Sequence, residues 1–138
     1  SAEKFFIGPA IDITRMTVLE KGDILTEIRV PKKWAGAKQY FEKIADRQTW
    51  DFALVNIAMV AKTLDGKVID VRMVCGGVQC TPRRLTDVES LMKGEKISTE
   101  METLAKRVAA RGAKALNYNH FKIPLMGSLA ARAVRSLA

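Results

Sequence analysis

The chain is predicted to be α+β: an antiparallel β-sheet of three to four strands followed by a small C-terminal helical bundle. Three observations lead there. Alternating or wholly apolar segments occupy residues 24–75, and an Asp65-Gly66 pair separates two of them. Asp-Gly is a strong two-residue hairpin signal, because glycine accepts positive φ and aspartate tolerates it. Beyond Pro82 the apolar residues recur at helical spacing to the C-terminus.

Residues 1–22 hold short apolar clusters around Gly8-Pro9 and Gly22, without a long period. They suit a leading strand and loops, or the tail of a preceding unit. Ile24, Thr26, Ile28 and Val30 alternate with Leu25, Glu27 and Arg29, which predicts a half-buried strand ended by Pro31. After a polar connection, a second strand is predicted over Lys38–Ala45, running into a polar knot, Asp46–Asp51. Phe52–Leu64 is apolar on both faces, suiting a central strand covered on both sides or a buried helix. The Asp65-Gly66 turn decides for the strand, because its other arm alternates too. Ile69, Val71, Met73 and Cys75 share one face, with Asp70 and Arg72 on the other. Gly76-Gly77 then marks a bulge or a close backbone approach.

Pro82 opens the helical tail. Thr86 and Glu89 have capping-box spacing before Val88, Leu91 and Met92, and Gly94 stands at the C-terminal cap. Thr99 and Glu102 repeat that spacing before Met101, Leu104, Val108 and Ala115. Gly112 would weaken that helix by about 1 kcal/mol relative to alanine. Asn117–Ile123 connects to a last amphipathic helix, with Pro124 in its first turn and Leu125, Leu129, Ala133 and Leu137 as its stripe.

A length of 138 residues, 48% of them apolar and 28% charged, suits one globular domain and argues against disorder. No apolar run approaches the roughly 18–20 residues of a membrane span. The first residues lack the layout of a secretory signal, and two cysteines are too few for a disulfide framework, so a cytoplasmic location is expected. The net charge of +8 is uneven: residues 101–138 carry seven cations against Glu102 alone. That excess fits an acidic partner or solvated helix faces. Scattered cations with little aromatic interleaving argue against nucleic acid.

The inventory of reactive groups is thin. His120 is the only histidine and lies in a connection, where a surface or capping role is expected. Cys75 and Cys80 lack a second pair and a nearby histidine, so no metal site is expected, and both are read as small apolar packing groups. Asp65 and Asp70 flank the hairpin as surface residues. No phosphate-binding glycine pattern or nucleophilic triad stands out. Such a chain does not look like a self-sufficient enzyme. The polar knot before Phe52 is either an ordinary surface turn or a loop held against a ligand.

Three stretches taken in order carry a resemblance: Gly22–Pro31, Tyr40–Met59 with its Asp51-Phe-Ala-Leu-Val-Asn-Ile-Ala core, and Val68–Arg83 with Gly76-Gly77-Val78 followed by Thr81-Pro82. Together they resemble the C-terminal domain of the FAD-binding (medium) subunit of the molybdenum hydroxylases, the family of xanthine dehydrogenase and CO dehydrogenase. The tail ending in Phe121-Lys-Ile-Pro-Leu125 fits the same domain, and Phe5-Phe-Ile-Gly-Pro9 looks like the last strand of the flavin domain before it. The resemblance therefore implies an N-terminal extension over residues 1–22 and the domain proper over 23–138.

It also implies the function. In that family electrons leave molybdopterin in a large subunit, cross [2Fe-2S] clusters in a small one, and reach FAD in the medium subunit, which passes them to an acceptor. The C-terminal domain supplies a wall near the flavin through the loop matching Lys43 to Asp51. Lys43, Arg47 and Asp51 are the FAD-proximal residues the resemblance implies; Trp50 stands where xanthine dehydrogenase-like members carry an acidic or small residue. A cation near the flavin would raise its potential. The alternative is that Lys43 and Arg47 are solvated cations paired with Glu42, Asp46 or Asp51. FAD is expected only together with the N-terminal FAD-binding domains, and the expected partners are those domains, the molybdopterin subunit and the iron–sulfur subunit. The contrasting reading is a small basic module that docks an acidic protein or RNA.

Overall fold

Asp65 and Gly66 both adopt left-handed backbone angles, φ 52° and 76°, and reverse the chain between β2 (Val55–Leu64) and β3 (Lys67–Gly76). Two positive φ values in a two-residue connection match the twist of an antiparallel pair. The computed structural model describes residues 1–138. β1 (Lys38–Ile44) pairs with the far side of β2, and β4 (Arg83–Arg84) with the far side of β3. The sheet order is β1-β2-β3-β4, antiparallel throughout.

Val55, Ile57, Met59 and Ala61 of β2 and Val68, Val71, Met73 and Cys75 of β3 are buried on one face. That face packs under α2 (Thr86–Met92), α3 (Thr99–Ala109) and α4 (Lys122–Arg135). Met126, Leu129, Ala130, Ala133 and Val134 carry α4 into the core, and Leu137 follows. α3 and α4 lie so close that a Cβ on Gly127 would come within 2.5 Å of the Lys106 carbonyl oxygen. β2 is central, as predicted, but it is not covered on both sides. Ala58 is exposed on the outer face, because all three long helices follow the sheet in sequence and pack on the same side of it.

Other expectations need correcting. Residues 24–30 form no strand: Ile24 and Ile28 are each 82% exposed, and the segment finds no partner strand. Alternation marks which face a strand would bury but cannot supply its hydrogen-bonding neighbour. The fourth strand is instead Arg83–Arg84, read from sequence as part of the helical tail. At the N-terminus a single helical turn, α1 (Ala2–Phe5), replaces the leading strand. A Phe6–Thr17 bridge then closes the loop behind it. Within the hairpin the register slips, so that Lys62 faces Asp70 but Thr63 faces Val68. Ile69 is the extra residue; it turns outward and Val68 takes its place in the core.

The helix caps also differ. α2 has no side-chain cap, and Glu89 turns into the sheet instead. α3 is capped one residue earlier than predicted, by the Ser98 hydroxyl accepting from Met101 N–H at 3.2 Å. Glu102 reaches across to Arg135 at 2.7 Å. α3 stops at Ala109, so Ala115 lies outside it, and Gly112 turns the chain beyond it with φ 71° rather than weakening it from within. No helix is long and apolar enough to cross a membrane.

Candidate functional site

The loop between β1 and β2 closes where Leu54 N–H donates to the Ile44 carbonyl at 2.8 Å. Inside it, Asp51 organises the chain. Its carboxylate accepts from Arg47 N–H at 2.8 Å, and its carbonyl accepts from Lys43 Nζ at 3.0 Å. The Arg47 guanidinium donates to the Trp50 carbonyl at 3.2 Å. Lys43, Arg47 and Asp51 are thus brought together by hydrogen bonds within the loop.

Neither cation has an ion-pair partner. Glu42, next to Lys43 in sequence, faces the core side of β1, where it accepts from the Tyr40 hydroxyl and pairs with Arg132 on α4 at 2.6 Å. Burial first, and then that carboxylate, hold the Tyr40 phenol above its ordinary range. Strand alternation explains the division: Lys43 sits on the opposite face of β1 from Glu42. Both cations therefore donate to main-chain carbonyls, and no carboxylate neutralises either.

This self-tied loop pushes two aromatic rings into solvent. Trp50 is 98% exposed with φ 51°, and Phe52 is 94% exposed. Sequence reasoning marked Trp50 only as a departure from relatives and passed over Phe52; the available signal was an aromatic pair flanking an aspartate in a polar loop. Exposed rings beside unpaired cations make a surface suited to a flat ligand carrying negative charge. The donor set is compatible with a flavin ring edge.

The Gly-Gly pair supports the loop's exit. A Cβ on Gly76 would lie 2.6 Å from Asn56 Oδ1, and one on Gly77, at φ 76°, would lie 3.0 Å from the Leu54 carbonyl. This is the close backbone approach predicted. Among the other candidates, Cys75 is buried, and burial pushes its thiol up to about 11. Cys80 is exposed, contrary to the packing role expected of it, because it lies in the connection between β3 and β4 rather than under the helices. His120 is exposed. No three His, Cys, Asp or Glu side chains converge as metal ligands.

The architecture is a four-stranded antiparallel sheet covered by helices on one side, with this self-tied loop joining its first two strands. Residues 39–137 match the CO dehydrogenase flavoprotein C-terminal domain, and the chain belongs to that family. It is 32% identical over 117 residues to the nicotine 6-hydroxylase medium subunit of Paenarthrobacter nicotinovorans, covering 85% of this chain and 38% of that one. With the carbon monoxide dehydrogenase medium chain of Hydrogenophaga pseudoflava it shares 31% identity over 99 residues, 72% of this chain and 32% of that one. A crystal structure of the Hydrogenophaga pseudoflava enzyme, lacking the Mo-pyranopterin moiety of its molybdenum cofactor, superposes with a TM-score of 0.80 at 28% identity, covering 96% of this chain and 46% of that one. Quinoline 2-oxidoreductase from Pseudomonas putida 86 shares the fold, with a TM-score of 0.67 at 18% identity over 73% of this chain and 36% of that one. The chain spans between 32% and 38% of the length of the curated relatives it matches.

Proposed function

We propose that this chain is the C-terminal domain of the FAD-binding medium subunit of a molybdenum hydroxylase and that its β1–β2 loop forms a wall beside the flavin. The observation that carries the reading is the loop itself, with Lys43 and Arg47 unpaired and ordered around Asp51. FAD, held chiefly by the preceding domains, supplies the redox centre between [2Fe-2S] clusters and an external acceptor. The chain's own residues act on its surroundings. Lys43 and Arg47 place positive charge against the ring and favour its more negative form, which raises its potential. The Asp51 carbonyl holds the Lys43 ammonium and its carboxylate holds the Arg47 backbone N–H, while the Trp50 carbonyl holds the Arg47 guanidinium. Trp50 and Phe52 exclude water from the face they cover. The chain is not catalytic alone.

Residues 1–22 are the end of the preceding flavin domain in this reading, and 23–138 the domain proper. The exposure of Ile11, Ile13, Ile24, Leu25, Ile28 and Val30 supports further protein over this arm, because so many apolar side chains are rarely left in water. The partners are those flavin-binding domains, a molybdopterin-bearing large subunit and an iron–sulfur small subunit. Two free thiols support a cytoplasmic location.

The test replaces Lys43 and Arg47 separately by alanine in the assembled enzyme and follows two half-reactions. The flavin potential should fall and its reoxidation rate should change, while substrate oxidation at molybdenum changes little. Equal effects on both half-reactions would return the two residues to the surface. The isolated 138-residue chain should retain no flavin absorbance.

A further inference from the structure

The end of the helical layer beside the loop's exit carries a second surface, where Lys122 Nζ donates to the Gly77 carbonyl at 2.8 Å. Three shallow depressions adjoin there. The first lies between α3 and α4 and includes Lys106, Arg107 and Ile123; the second shares Ile123 and adds Arg83, Lys114, Lys122 and Asn119; the third shares Asn119 and adds Leu116 and Tyr118. No carboxylate lines any of them. Residues 103–138 contain no Asp or Glu at all, and Glu102 is engaged by Arg135. By contrast, Arg72, Arg84, Arg132 and Arg135 each meet a carboxylate. Here none of Arg83, Lys106, Arg107, Lys114 and Lys122 does, and Arg83 and Lys122 donate only to carbonyls, those of Arg111 and Gly77.

The helix dipoles explain part of this pattern and sharpen the rest. Lys106 and Arg107 lie in the last turn of α3, where a cation is favourable. Lys122 opens α4, whose first turn has no acidic residue and no side-chain cap, so it adds charge to an already positive helix end. Lys114 and Arg83 line the same depression as Lys122. Leu116 and Tyr118, which line the third depression, and Phe121 beside Lys122 in sequence are exposed. An arginine- and tyrosine-bearing surface with apolar points and no anion of its own has the composition of a protein interface.

We propose that this face docks an acidic surface of a neighbouring folded subunit. The inference rests on the reading above, that the chain works inside a multi-subunit assembly. It is supported by the relatives named as medium subunit and medium chain. Nucleic acid is disfavoured by the few rings available for stacking.

The experiment uses the purified assembly containing this chain. A carbodiimide, which joins an amine directly to a carboxylate, should couple Lys106 or Lys114 to Asp or Glu of another subunit. The combined variant Lys106→Glu, Arg107→Glu, Lys114→Glu changes only exposed side chains. It should stay folded, its unfolding midpoint lowered only slightly by the charges reversed at the end of α3, yet associate at least about tenfold more weakly. Association of the parent should weaken steeply between about 0.05 and about 0.3 M NaCl. Changing the coupled carboxylates to lysine should restore binding to the triple variant. Should that variant not fold, Lys114→Glu alone and the coupling pattern of the parent carry the test. Coupling confined to this chain with unchanged association overturns the proposal, as does ribonuclease-sensitive absorbance at 260 nm or binding to phosphatidylserine vesicles in place of a subunit. A flavin-bearing assembly that forms unaltered with the triple variant defeats this inference alone. Failure to recover any flavin-bearing assembly defeats the functional reading with it.

Discussion

The carboxylate of Glu89 accepts from Arg84 Nε at 2.8 Å and from its terminal nitrogen at 2.6 Å. It also accepts from the buried Met73 N–H at 2.8 Å. One side chain thus joins α2, the short strand β4 and the middle of β3. The hydrogen bonds and charge of Glu89 hold the Arg84 guanidinium above its usual range, with Glu3 adding to them. Arg84 closes the Gly-Gly-Val and Thr-Pro pattern that carried the family resemblance, and its place in the fold is structural. Arg84→Ala leaves a nearly buried carboxylate with only Arg72, at 4.0 Å, as its cation and should destabilise by up to about 3–5 kcal/mol in urea unfolding. Glu89→Gln should cost less, because the amide oxygen can still accept from Met73 N–H.

Gly127 gives a prediction whose sign is diagnostic. In an open helix, Gly→Ala stabilises by about 1 kcal/mol. Here the added Cβ would meet the Lys106 carbonyl at 2.5 Å, a backbone atom that cannot swing away. Gly127→Ala should therefore destabilise by about 1–3 kcal/mol. Calorimetry of the two proteins reads the sign directly, and a rise in Tm would mean that α3 and α4 separate freely.

The two cysteines should differ sharply. Cys80 is exposed and Cys75 buried, so a thiol reagent should titrate one group in the native chain and two after denaturation. Burial raises the Cys75 thiol to about 11, against an ordinary value of 9.0. Above the unfolded value the denatured chain ionises at this position while the native one stays neutral. Stability is thus intact below pH 9.0 and falls by up to about 1.4 kcal/mol per pH unit toward pH 11. Cys75→Ala should flatten that part of the pH profile.

Trp50 occupies a backbone region that favours glycine, and its ring touches almost nothing. Trp50→Gly should stabilise the isolated chain by up to about 1 kcal/mol, since it removes strain without opening a cavity. Loss of stability in thermal melts would show that the indole packs against the loop.

The loop that organises the candidate site was legible in part. Alignment on Asp51-Phe-Ala brought Lys43, Arg47 and Asp51 forward, and all three share one hydrogen-bonded turn. That neither cation pairs with Glu42 was not legible, because it depends on Arg132, far along the chain. Phe52 was counted as the start of an apolar strand, and only the register beginning at Val55 leaves it outside the sheet.

The sequence alone determined what is encoded locally. Asp65-Gly66 specified a hairpin through its tolerance of positive φ, period-two alternation specified most of β3, and helical stripes specified α3 and α4. Tertiary structure decided the pairings between distant residues. Residues 24–30 alternate as a strand should, yet no neighbour comes to them; Arg83–Arg84 show no strand period, yet β3 recruits them. Glu89 has the spacing of a helix cap and instead closes an ion pair with the sheet. Cations scattered over residues 83–122 become one face only when α3 and α4 pack side by side. Dihedral preference and side-chain period act within a few residues, whereas hydrogen-bond partners and charge density are set by which surfaces the folded chain brings together.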